Sequence, residues 1–199
     1  MCCGRTATAQ FVAELFVNDQ NVAYEIWLGS KLGLDGKLGV FSYNRFRITH
    51  ADEDPNGVLS WNAVNYNLTD KLAVIGGGLL VEGSFAPLAG VAYLNVGERL
   101  LVYAAPYLLF GEDLSGEVFG QVQYRPAYSE RLTGFHQLLL TVNGTDEGLS
   151  FTEAQVRTGL ERNGWQYGLG VDAFGLFGLG ADRRADWSVA FGGFLRREF

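Results

Sequence analysis

The chain has 199 residues, of which 48% are hydrophobic, 14% aromatic and 19% charged, and its formal net charge is −7. So high an apolar fraction excludes an intrinsically disordered protein, and the acidic balance argues against a nucleic-acid-binding protein, which needs a basic face to neutralise phosphates. The length is consistent with one domain or with a β-barrel of modest size.

The first nine residues, MCCGRTATA, stand apart from the pattern that follows. Ala7-Thr8-Ala9 resembles a signal-peptidase site but lacks the charged and apolar regions that precede one. We interpret residues 1–9 as an export-signal remnant or a disordered tail, and residues 10–199 as a single β-barrel domain. Cys2 and Cys3 are the only cysteines, and adjacent cysteines rarely bridge each other. We therefore expect no disulfide, metal site or cofactor.

Alternating apolar and polar residues dominate the rest of the chain, separated by turn signals such as Asp35-Gly36 and Asn163-Gly164. Helical periodicity is nearly absent, and the apolar runs 72–81 and 100–111 are too short for a spanning helix. The pattern predicts an all-β, antiparallel, up-and-down barrel of about 12 strands, with 10 as the alternative. The predicted strands lie near 9–17, 21–33, 37–49, 58–68, 71–82, 90–96, 99–110, 116–125, 133–142, 150–161, 165–176 and 185–198.

The connections between these strands alternate in length. One set is mostly longer and carries acidic tips: 18–20, 50–57, 83–89, 111–115, 143–149 and 177–184. The connections between them are mostly tight, although the stretch 126–132 is long for a turn. Long loops at one end and short turns at the other are typical of outer-membrane barrels, whose long loops face outwards. Both chain termini then lie at the short-turn, periplasmic end.

The two faces of the later strands differ in polarity. Residues such as Leu138, Val156 and Phe191 share one parity, while Gln137, Arg157 and Arg196 share the other. A soluble lipocalin-like barrel that binds a hydrophobic ligand would turn the apolar face inwards, and a transmembrane barrel would turn it towards lipid. Strands of ten or more residues, Tyr and Trp near strand ends, and a total of only three lysines favour the transmembrane barrel.

The closing segment WSVAFGGFLRREF places Trp187, Phe191, Leu195 and Phe199 on the apolar parity. This strand, which ends on an aromatic residue, resembles the C-terminal signal that the outer-membrane assembly machinery recognises in bacterial β-barrel proteins. The turn Asn67–Leu72 also resembles turns of such proteins. The resemblance implies a porin-like barrel in the outer membrane of a Gram-negative bacterium, with the lipid bilayer and the assembly machinery as partners. Arg197 departs from the pattern, because it lies on the lipid-facing parity.

The polar parity supplies the candidate functional residues. We predict that the following side chains line the lumen: Arg45, Arg47, Glu117, Gln121, Arg125, Glu153, Arg157, Asp172 and Arg196. They form either a charged constriction that selects solutes or a structural network of ion pairs that fills a small barrel. The predicted function is passive, porin-like passage or binding of a small solute. The alternative is a structural barrel subunit of an outer-membrane complex.

The stretch 72–110 contains only three charged residues, Glu82, Glu98 and Arg99, and is apolar or glycine on both faces. It lines a cavity for a hydrophobic solute, packs against another envelope protein, or lies beneath an inward plug. Pro106 falls within a predicted strand of this stretch, which implies a bulge or a strand end.

Enzymatic activity is not predicted. His136 has the parity of Leu138, so we expect it to point outwards near the membrane interface rather than to act as a base. His50 could join Asp52, Glu53 and Asp54 in a loose cation site, but an acidic solvated loop is the expected interpretation.

Overall fold

A computed structural model of the chain describes residues 10–32, 37–50, 57–111, 113–146, 148–177 and 185–199. The predicted tail, residues 1–9 with both cysteines, lies outside the described residues. The strands are β1 (Gln10–Asn18), β2 (Asn21–Leu32), β3 (Leu38–Thr49), β4 (Gly57–Asn67), β5 (Leu72–Val81), β6 (Ser84–Val96), β7 (Leu100–Phe110), β8 (Leu114–Tyr124), β9 (Ala127–Ser129), β10 (Leu132–Thr145), β11 (Gly148–Arg162), β12 (Trp165–Phe177) and β13 (Ala185–Glu198).

The strands pair in chain order, and every pairing is antiparallel. The exception to the order is β9, a three-residue piece within the predicted 126–132 connection that pairs only with β10. β1 pairs with β13, with Val12 opposite Glu198 and Asn18 opposite Gly192, and this pairing closes the sheet. The predicted all-β, up-and-down barrel of twelve strands is confirmed.

The barrel buries one parity of its strands and exposes the other. Inward-facing Gln155 and Arg157 are each only 1% exposed, whereas outward-facing Leu169 and Phe191 are 70% and 64% exposed. An apolar exterior around an interior that buries charged and amide side chains is typical of a transmembrane barrel and not of a lipocalin-like barrel. None of the described residues form a helix long and apolar enough to cross a membrane.

We call the end that contains the connections 19–20, 50–56, 82–83, 111–113, 146–147 and 178–184 the loop end, and the opposite end, with Gln10 and Phe199, the turn end. The predicted contrast in connection length is weaker than expected. The predicted loop 83–89 is mostly strand, because Glu82 and Gly83, at φ 50° and 90°, make a two-residue hairpin turn. Asn143-Gly144, which begins the predicted connection 143–149, lies instead at a register shift within β10.

Pro106 lies inside β7, opposite Val118 of β8. On the other side of β7, pairing with β6 lapses between Gly90–Tyr107 and Tyr93–Ala104 and resumes in the same register. The expected bulge or strand end is therefore wrong. The strand continues past the proline, which has no amide N–H to donate to the ladder of hydrogen bonds.

Candidate functional site

The interior of the barrel has two halves of different chemistry. One half is a chain of ion pairs, which we call the charge ladder: Glu14, Glu25, Arg45, Arg125, Glu153, Arg157, Glu161, Asp172, Arg196 and Glu198. The other half is a group of rings, which we call the aromatic cluster: Trp27, Phe41, Tyr43, Trp61, Tyr103, Tyr107 and Phe119.

The charge ladder begins near the loop end with Arg45 of β3, whose guanidinium crosses the lumen to β11 and β12. It pairs with Glu153, and its Nη2 donates to Asp172 Oδ2 at 2.8 Å. Its Nε lies 3.3 Å from Glu25 Oε1 on the adjacent strand β2. One buried arginine thus joins three carboxylates from three strands. Its hydrogen bonds to Glu153 and Asp172 are charge-assisted, which is the strong class, and its contact with Glu25 is an ion pair.

Arg157 of β11 occupies the middle of the charge ladder. Its Nε donates to Glu14 Oε1 at 2.7 Å and its Nη1 to Asp172 Oδ1 at 2.6 Å, while its Cζ lies 3.9 Å from the centre of the Phe16 ring. A Cβ on Gly170 would lie 2.7 Å from the Phe16 ring and 2.9 Å from Arg157 Cδ. The glycine therefore leaves the space in which the arginine and the ring stack.

The charge ladder continues to the turn end through two more arginines. Arg196 Nη1 donates to Gln137 Oε1 at 2.6 Å and lies 3.7 Å from Glu14 Oε2, and its Nη2 lies 3.9 Å from Glu198. Arg125 pairs with Glu198 and lies 3.4 Å from Glu161.

Consecutive arginines of the charge ladder share a carboxylate. Asp172 serves Arg45 and Arg157, Glu14 serves Arg157 and Arg196, and Glu198 serves Arg196 and Arg125. The result is an unbroken line of charged contacts along the lumen from near the loop end to the turn end.

The aromatic cluster fills the opposite half. Trp27 and Tyr43 have ring centres 4.1 Å apart, and Trp61 lies 4.8 Å from Phe41 and 4.9 Å from Phe119. The inward side chains of β5–β7 lie against these rings: Ile75, Leu79, Leu88, Ala92, Ala105 and Leu109. The inner face of the apolar stretch 72–110 is therefore covered by aromatic side chains from neighbouring strands.

A small crevice, open to solvent on one side, lies where the charge ladder meets the loop end. Gln20, Asn21, Arg45, Arg47, Glu153 and Asp172 contribute to its lining. Among the described residues, the buried Nε of Arg47 has no hydrogen-bond partner. This crevice is the point at which a solute arriving from the loop end would first meet the charge ladder.

The predicted lumen residues divide among these regions. Arg45, Arg125, Glu153, Arg157, Asp172 and Arg196 belong to the charge ladder, and Arg47 lines the crevice. Gln121 donates from Nε2 to Gln137 Oε1 at 3.2 Å. Glu117 stands apart, because it accepts hydrogen bonds from Tyr107 Oη and from Asn143 Nδ2, the latter at 3.2 Å. That these side chains line a conducting path stays a prediction.

Four carboxylates of the charge ladder were outside the predicted set: Glu161 and Glu198, which share its parity, and Glu14 and Glu25. The sequence also did not indicate that the inward rings form a cluster. Glu14 and Glu25 are 2% and 1% exposed, and they share the inward parity of β1 and β2 with the polar residues Asn18 and Asn21. The alternation of these two strands was therefore a signal that could have found them. The interior Trp27 and Trp61 lie near the middle of β2 and β4, whereas tryptophan at the membrane interface is typical of strand ends, so their position was the available signal.

The four residues of the predicted assembly signal all point outwards. Trp187, Phe191, Leu195 and Phe199 are exposed on the barrel surface. The Phe199 amide donates to Phe11 O at 2.9 Å and the two rings lie 5.4 Å apart, so the last residue extends the pairing that closes the barrel. Contact of this surface with lipid or with the assembly machinery stays a prediction.

Arg197 shares the outward face, and its surroundings explain how it lies there. Its Nη1 donates to Asn163 O at 2.9 Å, and its Cζ lies 5.0 Å from the Trp165 ring and 5.6 Å from the Phe199 ring. The guanidinium therefore lies beside two aromatic rings next to the 162–165 turn. Long cationic side chains near the end of a spanning strand commonly reach towards the interface.

Neither histidine belongs to the charge ladder. His136 is half-buried on the outer side, with Nδ1 2.9 Å from Thr158 Oγ1, and it stacks on Tyr124. His50 Nε2 lies 3.2 Å from Asn18 O. Asp52, Glu53 and Asp54 of the suggested cation site lie outside the described residues. Elsewhere in the described part of the chain, no group of three or more His, Cys, Asp or Glu residues is arranged to hold a metal ion.

No family model and no curated protein matches the sequence. Among solved structures, the barrel is similar to "KdgM porin in complex with disordered oligogalacturonate", with a TM-score of 0.53 and 12% identity over 96% of this chain and 99% of that chain. A second structure, "KdgM porin", has a TM-score of 0.52 and 12% identity over the same shares of the two chains. The chain has the fold of a porin β-barrel. The "NanC porin structure in rhombohedral crystal form" has a TM-score of 0.46 and 14% identity, over 94% of this chain and 98% of that chain.

The likeness to the two KdgM porin structures confirms, at the level of fold, the resemblance to porin-like outer-membrane barrels. At 12% identity they do not identify a family within that fold or transfer a solute.

Proposed function

We propose that the protein is a porin-like barrel of the bacterial outer membrane that passes small hydrophilic solutes through a narrow lumen along the charge ladder. The observation that carries the proposal is the unbroken line of contacts from Arg45 to Arg125 inside a barrel with an apolar exterior. Water and polar solutes follow polar groups, whereas a constriction lined by apolar side chains dewets.

The surface of the barrel supports placement in the outer membrane. Outward-facing apolar side chains cover the strands, and aromatic residues such as Tyr124, Trp165 and Trp187 lie near strand ends, where headgroups would contact them. The lipid bilayer and, through the closing strand β13, the outer-membrane assembly machinery are the proposed partners. The loop end then faces outwards and the chain termini lie in the periplasm.

The lumen must be narrow. Arg157, Gln155 and Gln166 are at most 1% exposed, so a solute advances only when side chains of the charge ladder exchange their mutual contacts for contacts with water or with the solute. We therefore expect small solutes and a low conductance.

The oligogalacturonate in the similar structure does not transfer to this chain. It is a polyanion, and the charge ladder contains six carboxylates against four guanidiniums. Such an interior gives a polyanion no net electrostatic attraction.

Planar bilayers test the proposal directly. The 199-residue chain, folded in detergent and added to a bilayer, should give discrete current steps smaller than those of an open-lumen general porin measured in the same salt. Fractionation of expressing cells should place the chain in the outer membrane. A chain that inserts, as judged by protease protection, but carries no current would contradict a role in solute passage.

A structural role is the second candidate, and one observation favours it. Trp61, Arg157, Phe16 and Phe135 are among the largest fully buried side chains, so much of the lumen is filled. On this interpretation the barrel serves as a subunit of an envelope complex and presents the outer face of 72–110, where Phe85 is 65% exposed, to another protein. An inserted but silent barrel that co-purifies with an envelope protein through this face would support it.

A further inference from the structure

The two ends of the barrel carry opposite charge. At the loop end, the described charged residues outside the lumen are all acidic: Asp19, Glu82, Asp113, Asp146 and Asp186. The sequence of the loop-end connections beyond the described residues adds Asp52, Glu53, Asp54, Glu112, Glu147 and Asp182 against Arg183 and Arg184. At the turn end, basic residues predominate: Lys31, Lys37, Lys71, Arg99, Arg131, Arg162 and Arg197, against Asp35, Asp70, Glu98 and Glu130.

The interior carries a smaller negative excess. Arg47 at the crevice raises the number of lumen guanidiniums to five, and Glu117 raises the number of carboxylates to seven. The described partners of Glu117 are the neutral donors Tyr107 and Asn143. A cation that enters from the loop end therefore meets compensated pairs along the charge ladder and no run of unpaired guanidiniums.

Exposed charge of one sign at a pore mouth raises the local concentration of the opposite ion, and acidic mouths and rings are typical of cation-conducting pores. Because the exposed loop-end carboxylates lie in water, their effect weakens when salt shortens the Debye length to about 3 Å at 1 M. We infer that this barrel is selective for small cations, which the acidic loop end gathers before they reach the crevice. The inference rests on the proposed function and names the class of solute.

Two triple variants test the inference. The loop-end variant Asp113→Asn/Asp146→Asn/Asp186→Asn removes three exposed carboxylates without touching the charge ladder. The matched control Asp70→Asn/Glu98→Gln/Glu130→Gln removes three exposed carboxylates at the turn end. The permeability ratio of K⁺ to Cl⁻ is measured from reversal potentials across a KCl gradient, first at low and then at high salt.

For the wild type we expect a ratio well above one at low salt that declines towards one at high salt. The loop-end variant should lower the low-salt ratio by about twofold, and the turn-end control should leave it unchanged. A wild-type ratio of one or less, or equal changes in the two variants, would overturn the inference while leaving solute passage intact. An inserted wild type that carries no current would overturn the proposed function and this inference together.

Discussion

The charge ladder and the aromatic cluster fill the same lumen by different physics. The charge ladder holds buried arginines against shared carboxylates, so the loss of one partner leaves another charge stranded at a high cost. The aromatic cluster holds Trp27, Trp61 and Phe119 together through the burial of apolar area, which depends on shape and volume. The charge ladder thus offers polar groups that can exchange their contacts with water, whereas the aromatic cluster excludes water from its part of the lumen.

The backbone of each half suits its contents. In β11–β13 several paired positions on the inward parity are glycine, including Gly159 opposite Gly168 and Gly170 opposite Gly192. A Cβ on Gly170 would collide with Phe16 and Arg157, whereas a Cβ on Gly159, Gly168 or Gly192 would collide with the backbone of an adjacent strand. The aromatic cluster is formed by inward rings of β2–β4, β7 and β8, and alanine and leucine side chains of β5–β7 pack against these rings.

The largest expected effect follows from breaking the charge ladder at its centre. Arg157→Ala leaves Glu14 with Arg196 alone, at 3.7 Å, and Asp172 with Arg45 alone, and we expect a loss of about 3 kcal/mol in the free energy of unfolding. Denaturant titration in detergent micelles measures it. Arg157→Lys, which keeps the charge but loses the planar fork, is the control and should lose less. A loss below about 1 kcal/mol for the alanine variant would show that the charge ladder adds little to stability.

Removal of a central ring from the aromatic cluster should destabilise the barrel without the salt dependence expected for the charge ladder. Trp61→Ala opens an apolar cavity, and we expect a loss of about 3 kcal/mol that varies little with salt. Because apolar cavities stay dry, the ion current should not rise. Trp61→Phe is the control and should retain most of the stability. A strong salt dependence of the Trp61→Ala loss would argue against a purely apolar cluster.

Filling the space beneath Arg157 tests the fit between the charge ladder and the backbone. Gly170→Ala places a methyl group 2.7 Å from the Phe16 ring, so we expect destabilisation by about 2 kcal/mol from overpacking. In Gly76→Ala the nearest atom is 3.9 Å away, and the free energy of unfolding should change by less than about 0.5 kcal/mol. Equal unfolding midpoints for the two variants would contradict the role assigned to Gly170.

The smallest expected effect lies outside both halves. Arg197→Leu removes the hydrogen bond to Asn163 O and the contacts with Trp165 and Phe199, and we expect a loss of about 1 kcal/mol. Arg197→Lys should recover part of that loss in the same unfolding assay. A leucine variant more stable than the wild type would mean that Arg197 destabilises the barrel on its outward surface.

Alternation was enough to predict the fold, because a strand with one buried face must repeat every two residues. The twelve predicted segments overlap the twelve barrel strands, and the parity of β8–β13 agrees with the observed sides. The connections were harder to predict than the strands, because an Asn-Gly pair in a bulge and one in a turn have the same sequence, as Asn143-Gly144 shows.

The ion pairs of the charge ladder could not be predicted from the sequence. Arg157 meets Glu14 across 143 positions of the chain, and that encounter depends on where the closed barrel joins its first and last strands. No local pattern encodes that register. The sequence therefore predicted which arginines face the lumen, but it did not predict their ion-pair partners or their order along the lumen.

The most direct measurement compares single-channel conductance between one variant of the charge ladder and one variant of the aromatic cluster. Arg45→Ser/Glu153→Ser removes a bulky ion pair near the loop end without changing the net charge, and Trp61→Ala removes a bulky ring from the aromatic cluster. We predict that the charge-ladder variant raises the conductance by about twofold or more while the aromatic-cluster variant leaves it at the wild-type value. A rise in the aromatic-cluster variant with no change in the charge-ladder variant would contradict the claim that the lumen conducts along its charged half.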